Sequence, residues 1–286
     1  MARLRHVRAA NPSAMTGTGT NTWLLGQGQV AVIDPGPEDA DHLAALLGTL
    51  DRGEEVAAIL VTHAHLDHSA LVPRLAQVTG APVYAFGRAQ DGRSALMQRL
   101  AAQGLRGGGE GIDTAFTPDH RLIDGQSLML GGMDIVAIHT PGHMGGHLSF
   151  ACDGLLFSGD HAMGWASTLV SPPDGDMGAY MASLDRLAQC KWQRMLPGHG
   201  APVEDTAQRL ADLAAHRRTR EAQIRAALAE APGTAAALAA RLYTDTPPAL
   251  IAAAARNVLA HLIDLVERNL ATAEGEITAQ TCFTAP

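Results

Sequence analysis

One short run of the chain constrains its fold more than any other feature, because it concentrates three imidazoles and one carboxylate within six residues. The run reads Thr62-His63-Ala64-His65-Leu66-Asp67-His68. It follows a continuously apolar stretch, residues 56–61, which predicts a strand covered on both faces of a sheet. So many polar groups are costly in an ordinary core, whereas a divalent metal ion accepts a lone pair from each imidazole and an oxygen from the carboxylate. The chain is therefore predicted to be a metalloenzyme with its site at the carboxyl end of a buried strand.

The composition indicates a globular protein and excludes several function classes. With 286 residues, 47% of them hydrophobic, the chain is long enough for one large domain, with or without a small appendage. A formal net charge of −8 disfavours binding to extended nucleic acid unless the positive residues gather on one face. Lys191 is the single lysine, so a Schiff-base mechanism has only one poor candidate.

The cysteines and the apolar runs predict where the protein works. Its three cysteines are far apart and form no CxxC pair, which indicates neither a disulfide framework nor a cysteine-bound zinc. The basic N-terminal residues are not followed by an apolar core of signal-peptide length. No segment reaches the roughly 18 to 20 uninterrupted apolar residues of a membrane span. We therefore expect a soluble, cytoplasmic protein without a membrane partner.

Strand and helix patterns alternate along the first two thirds of the chain. Strands are predicted at residues 4–9, 22–26, 30–34, 56–61 and 82–86, and helices at 37–50 and 67–78, with a weaker helical pattern at 89–105. The glycine-rich residues 106–111 predict a mobile loop. An antiparallel meander is predicted at 120–123, 127–130, 133–139, 147–151 and 155–158, followed by a helix at 179–190 and a strand at 194–196.

Beyond about Glu204 the composition shifts to alanine, leucine and arginine in helical rhythm. Three helices, at 206–230, 234–243 and 248–270, and a hairpin at 276–283 have the outline of a winged helix. The arginines that cluster lie on the entering helix instead of the presumed recognition helix; they are Arg217, Arg218, Arg220 and Arg225. This placement favours a packing or dimerisation role over nucleic-acid binding.

Four further residues carry chemistry suited to a metal site, each at the end of a strand-like run. They are His143, His147, Asp160 and His199. Small residues precede three of them, in Pro141-Gly142, Ser158-Gly159 and Pro197-Gly198, and allow the backbone to turn sharply. Strand ends of one sheet can present such side chains to a shared ion.

With these motifs the sequence resembles the metallo-β-lactamase-fold hydrolase superfamily, whose hallmark is His-x-His-x-Asp-His followed by separate His, Asp and His elements. The resemblance implies an α/β fold, a four-layer αββα sandwich over residues 1–205, with the winged-helix-like helical domain over residues 206–286. It implies a first metal held by His63, His65 and His143. It implies a second metal held by Asp67, His68 and His199, with Asp160 as the bridging carboxylate.

Weaker motifs resemble the β-lactamase-like protein 2 branch, in which a winged-helix-like domain follows the metal domain. They are Asn11-Pro12, Gly19-Thr20-Asn21-Thr22, Asp34-Pro35-Gly36 and Tyr243-Thr244-Asp245-Thr246-Pro247. The activities of this branch span hydrolysis of small esters or thioesters and, in the animal representative, cleavage of single-stranded RNA. The resemblance therefore does not select a substrate.

The chemistry implied is hydrolysis by a binuclear metal site. Two divalent ions roughly 3.5 to 4 Å apart can hold a bridging hydroxide and polarise the carbonyl or phosphoryl group under attack. Asp67 and Asp160 are the predicted catalytic carboxylates, with Asp67 both a ligand and an acceptor of the water proton. Zinc suits imidazole-rich ligation, and iron or manganese can occupy such a site. We predict a small-molecule ester or thioester substrate, with single-strand RNA cleavage as the alternative, and leave the oligomeric state open.

Several residues near these motifs have a more ordinary interpretation. His147 is expected to be a core histidine bonded to backbone, and His139 to make a structural hydrogen bond. His161 follows Asp160 and either flanks the metals or points away. Residues 16–20 lack the lysine of a phosphate-binding loop and favour a flexible flap over the metal site. Met163 and Trp165 either line the substrate pocket or lie in an exposed loop.

Overall fold

The computed structural model describes residues 3–109 and 111–286, and its first sheet carries the metal motif. The six strands of this sheet are β1 (Leu4–Arg8), β2 (Asn21–Gln27), β3 (Gln29–Ile33), β4 (Glu55–Leu60), β5 (Val83–Ala85) and β6 (His120–Arg121), in that spatial order. Strand β2 pairs antiparallel with both β1 and β3, and β3 to β6 run parallel. Strand β4 is interior, as its continuous apolar sequence predicts.

The second sheet is a meander closed by one parallel strand. Its strands are β7 (Ser127–Leu130), β8 (Met133–His139), β9 (Leu148–Cys152), β10 (Leu155–Gly159) and β11 (Arg194–Pro197), in the order β11-β10-β9-β8-β7. The prediction that residues 120–123 begin this meander is wrong. His120 and Arg121 form β6 beside β5, where the Asp119 carboxylate accepts the backbone N–H of Val83 at 2.8 Å. The turn at Gly125 therefore leads from one sheet to the other.

Alternating side chains of the strands make core contacts on both faces of the sheets. Trp23, Leu25 and Ile33 point between the sheets, against residues such as Phe150 and Phe157. The intervening side chains point outward, where helices cover them. The helices of this part of the chain are α1 (Ala40–Gly48), α2 (Leu66–Ser69), α3 (Val72–Thr79), α4 (Ala95–Ala102) and α5 (Met177–Ala188). Helices α1 and α3 cover the first sheet, and α5 covers the second. This αββα arrangement confirms the predicted fold class.

In the sandwich, three predicted helices are shorter or divided in the structure. The predicted helix over 67–78 is divided into α2 and α3, with Ala70 and Leu71 between them. Helix α1 begins after Asp39, whose carboxylate caps it by accepting the N–H of His42. The pattern over 89–105 yields only α4, because Ser94 caps its start and Gln103 its end. In the described part of the predicted loop over 106–111, which omits Glu110, the chain forms neither helix nor strand.

The C-terminal helical segment, residues 206–286, has its own core. It contains α6 (Thr206–Glu230), β12 (Gly233–Thr234), α7 (Ala235–Leu242), a 3₁₀ turn (Pro248–Leu250), α8 (Ile251–Glu267), β13 (Thr272–Ala273) and β14 (Cys282–Thr284). The wing is a three-stranded sheet in the order β12-β14-β13, wider than the predicted hairpin. Met97 and Leu100 of α4 join this core, which ties the segment to the sandwich.

One helix of the described residues, Pro248–Glu267, is long and apolar enough to cross a membrane, with a mean hydropathy of 1.6 in its best window. Its apolar composition has a simpler cause in the fold. Val258, Leu262 and Leu265 are fully buried against α6 and α7 in the core of the C-terminal helical segment. Core helices of soluble proteins commonly have this composition.

Candidate metal centre

The histidine-rich run turns sharply where β4 ends, and this turn gathers its polar side chains. His63 and His65 are two apart in extended backbone and therefore lie on the same face, while Ala64 between them packs into the core. Helix α2 begins directly after His65, and its first turn carries Asp67 and His68 round to the same side. Segment 111–113 supports the turn, because the Gly111 carbonyl accepts the N–H of Leu66 at 2.8 Å.

Three imidazoles form the first group of candidate ligands. The Nε2 atoms of His63 and His143 each lie 3.0 Å from Nδ1 of His65. All three side chains are buried, and their three facing nitrogens lie within 4.8 Å of one another. His143 reaches this group from the loop after β8, because Gly142 before it adopts a φ of +147° and packs against the backbone of Tyr180.

The second group combines imidazoles with carboxylates. Nε2 of His68 lies 3.4 Å from Oδ2 of Asp67, and Nε2 of His199 lies 3.3 Å from the same oxygen. Asp160 joins the two groups: its Oδ1 is 3.5 Å from Nε2 of His68, and its Oδ2 is 3.3 Å from Nε2 of His199 and 3.9 Å from Nε2 of His143. The structure thus brings all seven predicted ligands into one continuous cluster.

Hydrogen bonds behind the cluster determine which ring nitrogen of each imidazole carries a proton. Nδ1 of His143 lies 2.7 Å from the Leu169 carbonyl, and Nδ1 of His68 lies 3.0 Å from Oδ2 of Asp34. Nδ1 of His199 lies 3.3 Å from the Gly19 carbonyl. Because these oxygens can only accept, each Nδ1 is the donor, and Nε2 is the nitrogen of each ring that faces the cluster, where it offers its lone pair to a cation once it has lost its proton.

His63 is oriented in the same way, through the hydroxyl group of Thr62. The Thr62 hydroxyl donates to Oδ2 of Asp34 at 2.7 Å, so its oxygen accepts from Nδ1 of His63 at 2.9 Å. Asp34 also accepts the backbone N–H of Thr62 at 2.7 Å. A single buried carboxylate therefore orients one histidine directly and a second through a threonine.

The glycine-rich residues 16–20, predicted as a flexible flap, are docked on the cluster. The Thr20 hydroxyl donates to Oδ2 of Asp67 at 3.0 Å, and the Thr20 N–H is held by Oδ1 of Asn11 at 2.8 Å. The orienting roles of Asn11, Thr20 and Asp34 were not predicted from the sequence, where these residues stood out only as parts of family motifs. Of the three, Asp34 was the one that could have been found. Its place at the end of β3, parallel to β4, is the signal that could have identified it.

The charges of the cluster favour a cation. Burial lowers the pKa values of three histidines, His63, His65 and His143. The pKa of His63 falls well below its ordinary value, and that of His65 falls to about 3. Burial has the same effect on His68 and His199, but neighbouring carboxylates outweigh it, raising the pKa of His68 well above its usual value and that of His199 to about 9. Burial also opposes ionisation of Asp67 and Asp160, yet the imidazoles beside them hold both pKa values below the ordinary range.

These residues fit divalent metal ions. Nε2 of His68 and Oδ1 of Asp160 are buried without a hydrogen-bond partner among the described residues, and both face the cluster. Five imidazole nitrogens and two carboxylates, arranged in overlapping groups of three, suit borderline metals such as zinc and iron. A cation shared by such a group would satisfy the orphaned atoms and stabilise the buried carboxylates.

Three further histidines singled out from the sequence are His139, His147 and His161. Nδ1 of His147 lies 2.8 Å from the Thr140 hydroxyl instead of a backbone group, and its ring packs 5.2 Å from that of His63. His139 donates from Nε2 to the Gly145 carbonyl at 2.8 Å, which is the expected structural hydrogen bond. His161 is fully buried, and its ring lies 4.8 Å from that of Tyr180.

The loop after Asp160 places one aromatic ring beside the cluster. Met163 is buried, whereas Trp165 is 47% exposed. A methyl group added to Gly200, the residue after His199, would meet the Trp165 ring at 2.5 Å, and one at Gly17 would meet it at 3.3 Å. Trp165 therefore covers the backbone next to a candidate ligand while one side of its ring faces solvent.

Comparisons with known proteins show which families the chain matches. Residues 15–199 match the metallo-β-lactamase superfamily, and residues 234–279 match the β-lactamase-associated winged helix domain. The β-lactamase-like protein 2 homolog of Drosophila melanogaster is 34% identical over 91% of this chain and 86% of its own length. An atrochrysone carboxyl ACP thioesterase of Aspergillus chevalieri is 31% identical over 80% of this chain and 66% of its own length.

Solved structures show the same architecture. A metallo-β-lactamase family protein of Thermus thermophilus aligns with a TM-score of 0.77 and 26% identity, covering 99% of this chain and 98% of its own. The crystal structure of TTHA1623 in a di-iron-bound form aligns with a TM-score of 0.53 and 29% identity over 71% of this chain and 96% of that one. The family suggested by the sequence motifs is confirmed: the chain belongs to the metallo-β-lactamase superfamily of hydrolases and carries the associated winged helix domain at its C-terminal end.

Proposed function

We propose that the protein hydrolyses a small ester or thioester with two divalent ions. His63, His65 and His143 would hold one ion, and Asp67, His68 and His199 the other. Asp160 would serve both, since its two oxygens face both groups. The observation that carries this proposal is the pair of three-residue donor groups joined by the Asp160 carboxylate.

The ions would supply a nucleophile from water at neutral pH and would polarise the carbonyl group under attack. The chain's own residues complete the site. Asp67 is the more exposed of the two carboxylates, with 27% of its side chain accessible, and this exposure makes it the proposed acceptor of the water proton. Its lowered pKa keeps it ionised, as a metal ligand must be. The Thr20 hydroxyl holds Oδ2 of Asp67 in place, which leaves Oδ1 as the proton acceptor.

The ligand chemistry supports zinc as the resident metal, with iron or manganese as alternatives. Five of the seven proposed ligands are imidazoles, which suit zinc, and the two carboxylates add hard oxygens that iron or manganese also accept. A superfamily structure aligned with this chain is described as a di-iron-bound form. Elemental analysis of protein purified from cells grown with each metal would identify the ion that the site retains.

An acyl substrate with an apolar part is supported by the surroundings of the cluster. Leu66, between two candidate ligands, is 48% exposed, and Trp165 presents a ring of similar exposure beside Gly200. Exposed apolar side chains next to a polar site favour a ligand that is apolar at one end. The fungal relative named as an acyl-carrier-protein thioesterase supports the same bond type.

The alternative, RNA cleavage, finds less support on the surface. Arg217 is buried, Arg218 lies 3.3 Å from the Asp185 carboxylate, and Arg220 stacks 4.1 Å above the Tyr243 ring. Three of the four clustered arginines are therefore engaged within the chain. We propose a small-molecule partner, no membrane partner and a cytoplasmic location, which is consistent with the free state of the three cysteines.

The test is a substrate panel of thioesters, simple esters, lactones, β-lactams and single-stranded RNA, assayed with zinc, manganese and iron. We expect turnover of a thioester or ester that chelation abolishes and metal restores. D160N should lose one bound ion and at least a hundredfold in kcat/KM, whereas D153N in the β9–β10 turn should not. Cleavage of RNA alone, or turnover that survives complete removal of metal, would contradict the proposal.

A further inference from the structure

The loop between Asp160 and α5 is held from outside the sandwich, by polar side chains of the C-terminal helical segment. Arg209 donates from Nε to the Met163 carbonyl at 2.6 Å and from Nη2 to the Ala166 carbonyl at 2.9 Å. Further along the loop, Oδ1 of Asn257 accepts the N–H of Val170 at 3.0 Å. Helices α6 and α8 thus fix the backbone of this loop at several points.

Arg217 of α6 makes the most deeply buried of these contacts. Only 1% of this residue is exposed, and its guanidinium donates to the Thr168 carbonyl and, at 3.2 Å, to Oδ1 of Asn257. Its charged end also lies 5.2 Å above the Tyr180 ring. Among residues 3–109 and 111–286, no carboxylate forms an ion pair with it. A carbonyl, an amide oxygen and an aromatic face therefore compensate this buried charge. Burial of a guanidinium without a carboxylate partner costs stability, which suggests that Arg217 has a specific role at this position.

The same short stretch of loop orients a candidate metal ligand. Nδ1 of His143 donates to the Leu169 carbonyl at 2.7 Å and lies 3.0 Å from the Thr168 hydroxyl. Thr168, which Arg217 holds by its carbonyl, thus contacts His143 by its side chain. Val170, on the other side of Leu169, is held by Asn257. Both residues flanking the acceptor of the His143 proton are bonded to the C-terminal helical segment.

We propose that Arg217, together with Asn257, is a positioning residue for His143, so that the C-terminal helical segment completes the first metal site of the sandwich. Fixing Thr168 and Val170 places the Leu169 carbonyl where it accepts from Nδ1 of His143. That bond turns Nε2 towards Nδ1 of His65 and Oδ2 of Asp160. The inference rests on the proposed metal-binding role of His143, and the experiment separates the two.

The test compares R217M with R218M in the full-length protein. Methionine fills much of the arginine volume but donates no hydrogen bond, and Arg218 is the exposed neighbour on the same helix. Stepwise zinc affinity is measured by competition with a chromophoric chelator, and H143A identifies the binding step that depends on His143. We expect R217M to weaken that step 10- to 100-fold, the loss typical when a partner behind a metal ligand is removed. R218M should stay within twofold of the parent.

A second readout detects orientation of the ring without metal or turnover. In the metal-free protein, long-range ¹H–¹⁵N correlation spectra report which nitrogen of His143 carries the proton. We expect the Nδ1–H signal to shift or broaden in R217M and to be unchanged in R218M. Should R217M fail to fold, N257A keeps Arg217 and its bond to Thr168 but removes the oxygen that accepts from both the Val170 N–H and the Arg217 guanidinium. It should weaken the same step by a smaller factor.

The outcomes distinguish the two proposals. If H143A leaves both zinc-binding steps unchanged, the metal site itself is misassigned. If H143A loses one step while R217M and N257A keep it within twofold, with the parent's His143 spectrum, the positioning role is refuted. An equal loss in R218M would refute it as well, since the effect would then reflect general destabilisation.

Discussion

The substitution D34N changes the carboxylate that orients His63 and His68 and leaves every proposed metal ligand in place. Oδ1 of Asp34 accepts the Thr62 N–H, and Oδ2 accepts from both the Thr62 hydroxyl and Nδ1 of His68. Asparagine keeps the shape of the side chain and tolerates the φ of +52° found at this position. If the new amide oxygen still accepts the Thr62 N–H, the NH₂ group lies opposite the Thr62 hydroxyl and Nδ1 of His68. Neither of these two groups can then donate a hydrogen bond to it.

The consequence for His68 is a change of tautomer. With an NH₂ group opposite, Nδ1 can only accept, so the proton moves to Nε2 and the lone pair facing the cluster is lost. We expect affinity for the ion held by Asp67, His68 and His199 to fall 10- to 100-fold, which corresponds to about 1.4 to 2.7 kcal/mol. The metal-free protein should also lose about 1 to 3 kcal/mol of unfolding free energy, because a buried carboxylate gives up charge-assisted hydrogen bonds.

Chelator competition and elemental analysis measure the metal loss, and urea unfolding of the metal-free protein measures the stability. D39N is the matched control, because Asp39 caps α1 and asparagine caps a helix equally well. We expect D39N to keep the parent's affinity and stability within experimental error. A D34N protein that binds two ions as tightly as the parent would refute the assignment of the His68 tautomer.

Three further predictions concern pH, the pocket and the backbone. The folded-state pKa of His199, about 9, exceeds its unfolded value of about 6.5, so the metal-free protein should lose up to about 3 kcal/mol of unfolding free energy as pH rises between these values. H199Q should lose less over the same range, with the remaining loss due to His68, whose pKa is also raised. W165A should raise KM for apolar acyl substrates severalfold with little change in kcat and less than about 1 kcal/mol in stability, and an unchanged KM would place Trp165 outside the pocket. G142A should lower the free energy of unfolding by about 1 to 3 kcal/mol, because the new Cβ would lie 2.4 Å from the Tyr180 backbone. The control G125A, also at positive φ but in open space, should lower it less, as measured by thermal unfolding.

Much of the site could be predicted from the sequence because its chemistry is local. His63, His65, Asp67 and His68 lie within six residues, and the strand before them and the helix after them follow from apolar periodicity. The later ligands share the same context, a turn of small residues after a strand. The winged helix outline followed from helical periodicity and the proline and glycine residues between the helices.

The sequence alone failed where partners are distant along the chain. His120 and Arg121 joined the first sheet instead of the adjacent meander, because strand pairing depends on which edge is free in the folded protein. Residues 16–20 were predicted to lie over the metal site, but not their hydrogen bonds to Asp67 and His199, because these need a strand end, a loop and a helix start to meet.

The residue types of the candidate ligands, the strand ends that carry them and the family were therefore determined by the sequence itself, since short-range spacing and backbone geometry suffice for these. Only the tertiary structure decided what stands behind each ligand. Asp34 behind His68 and the Leu169 carbonyl behind His143 come from separate elements, and Arg217 supports the latter from the C-terminal helical segment. A hydrogen bond requires its two atoms about 3 Å apart, and for residues remote in sequence only packing of the whole chain sets that distance.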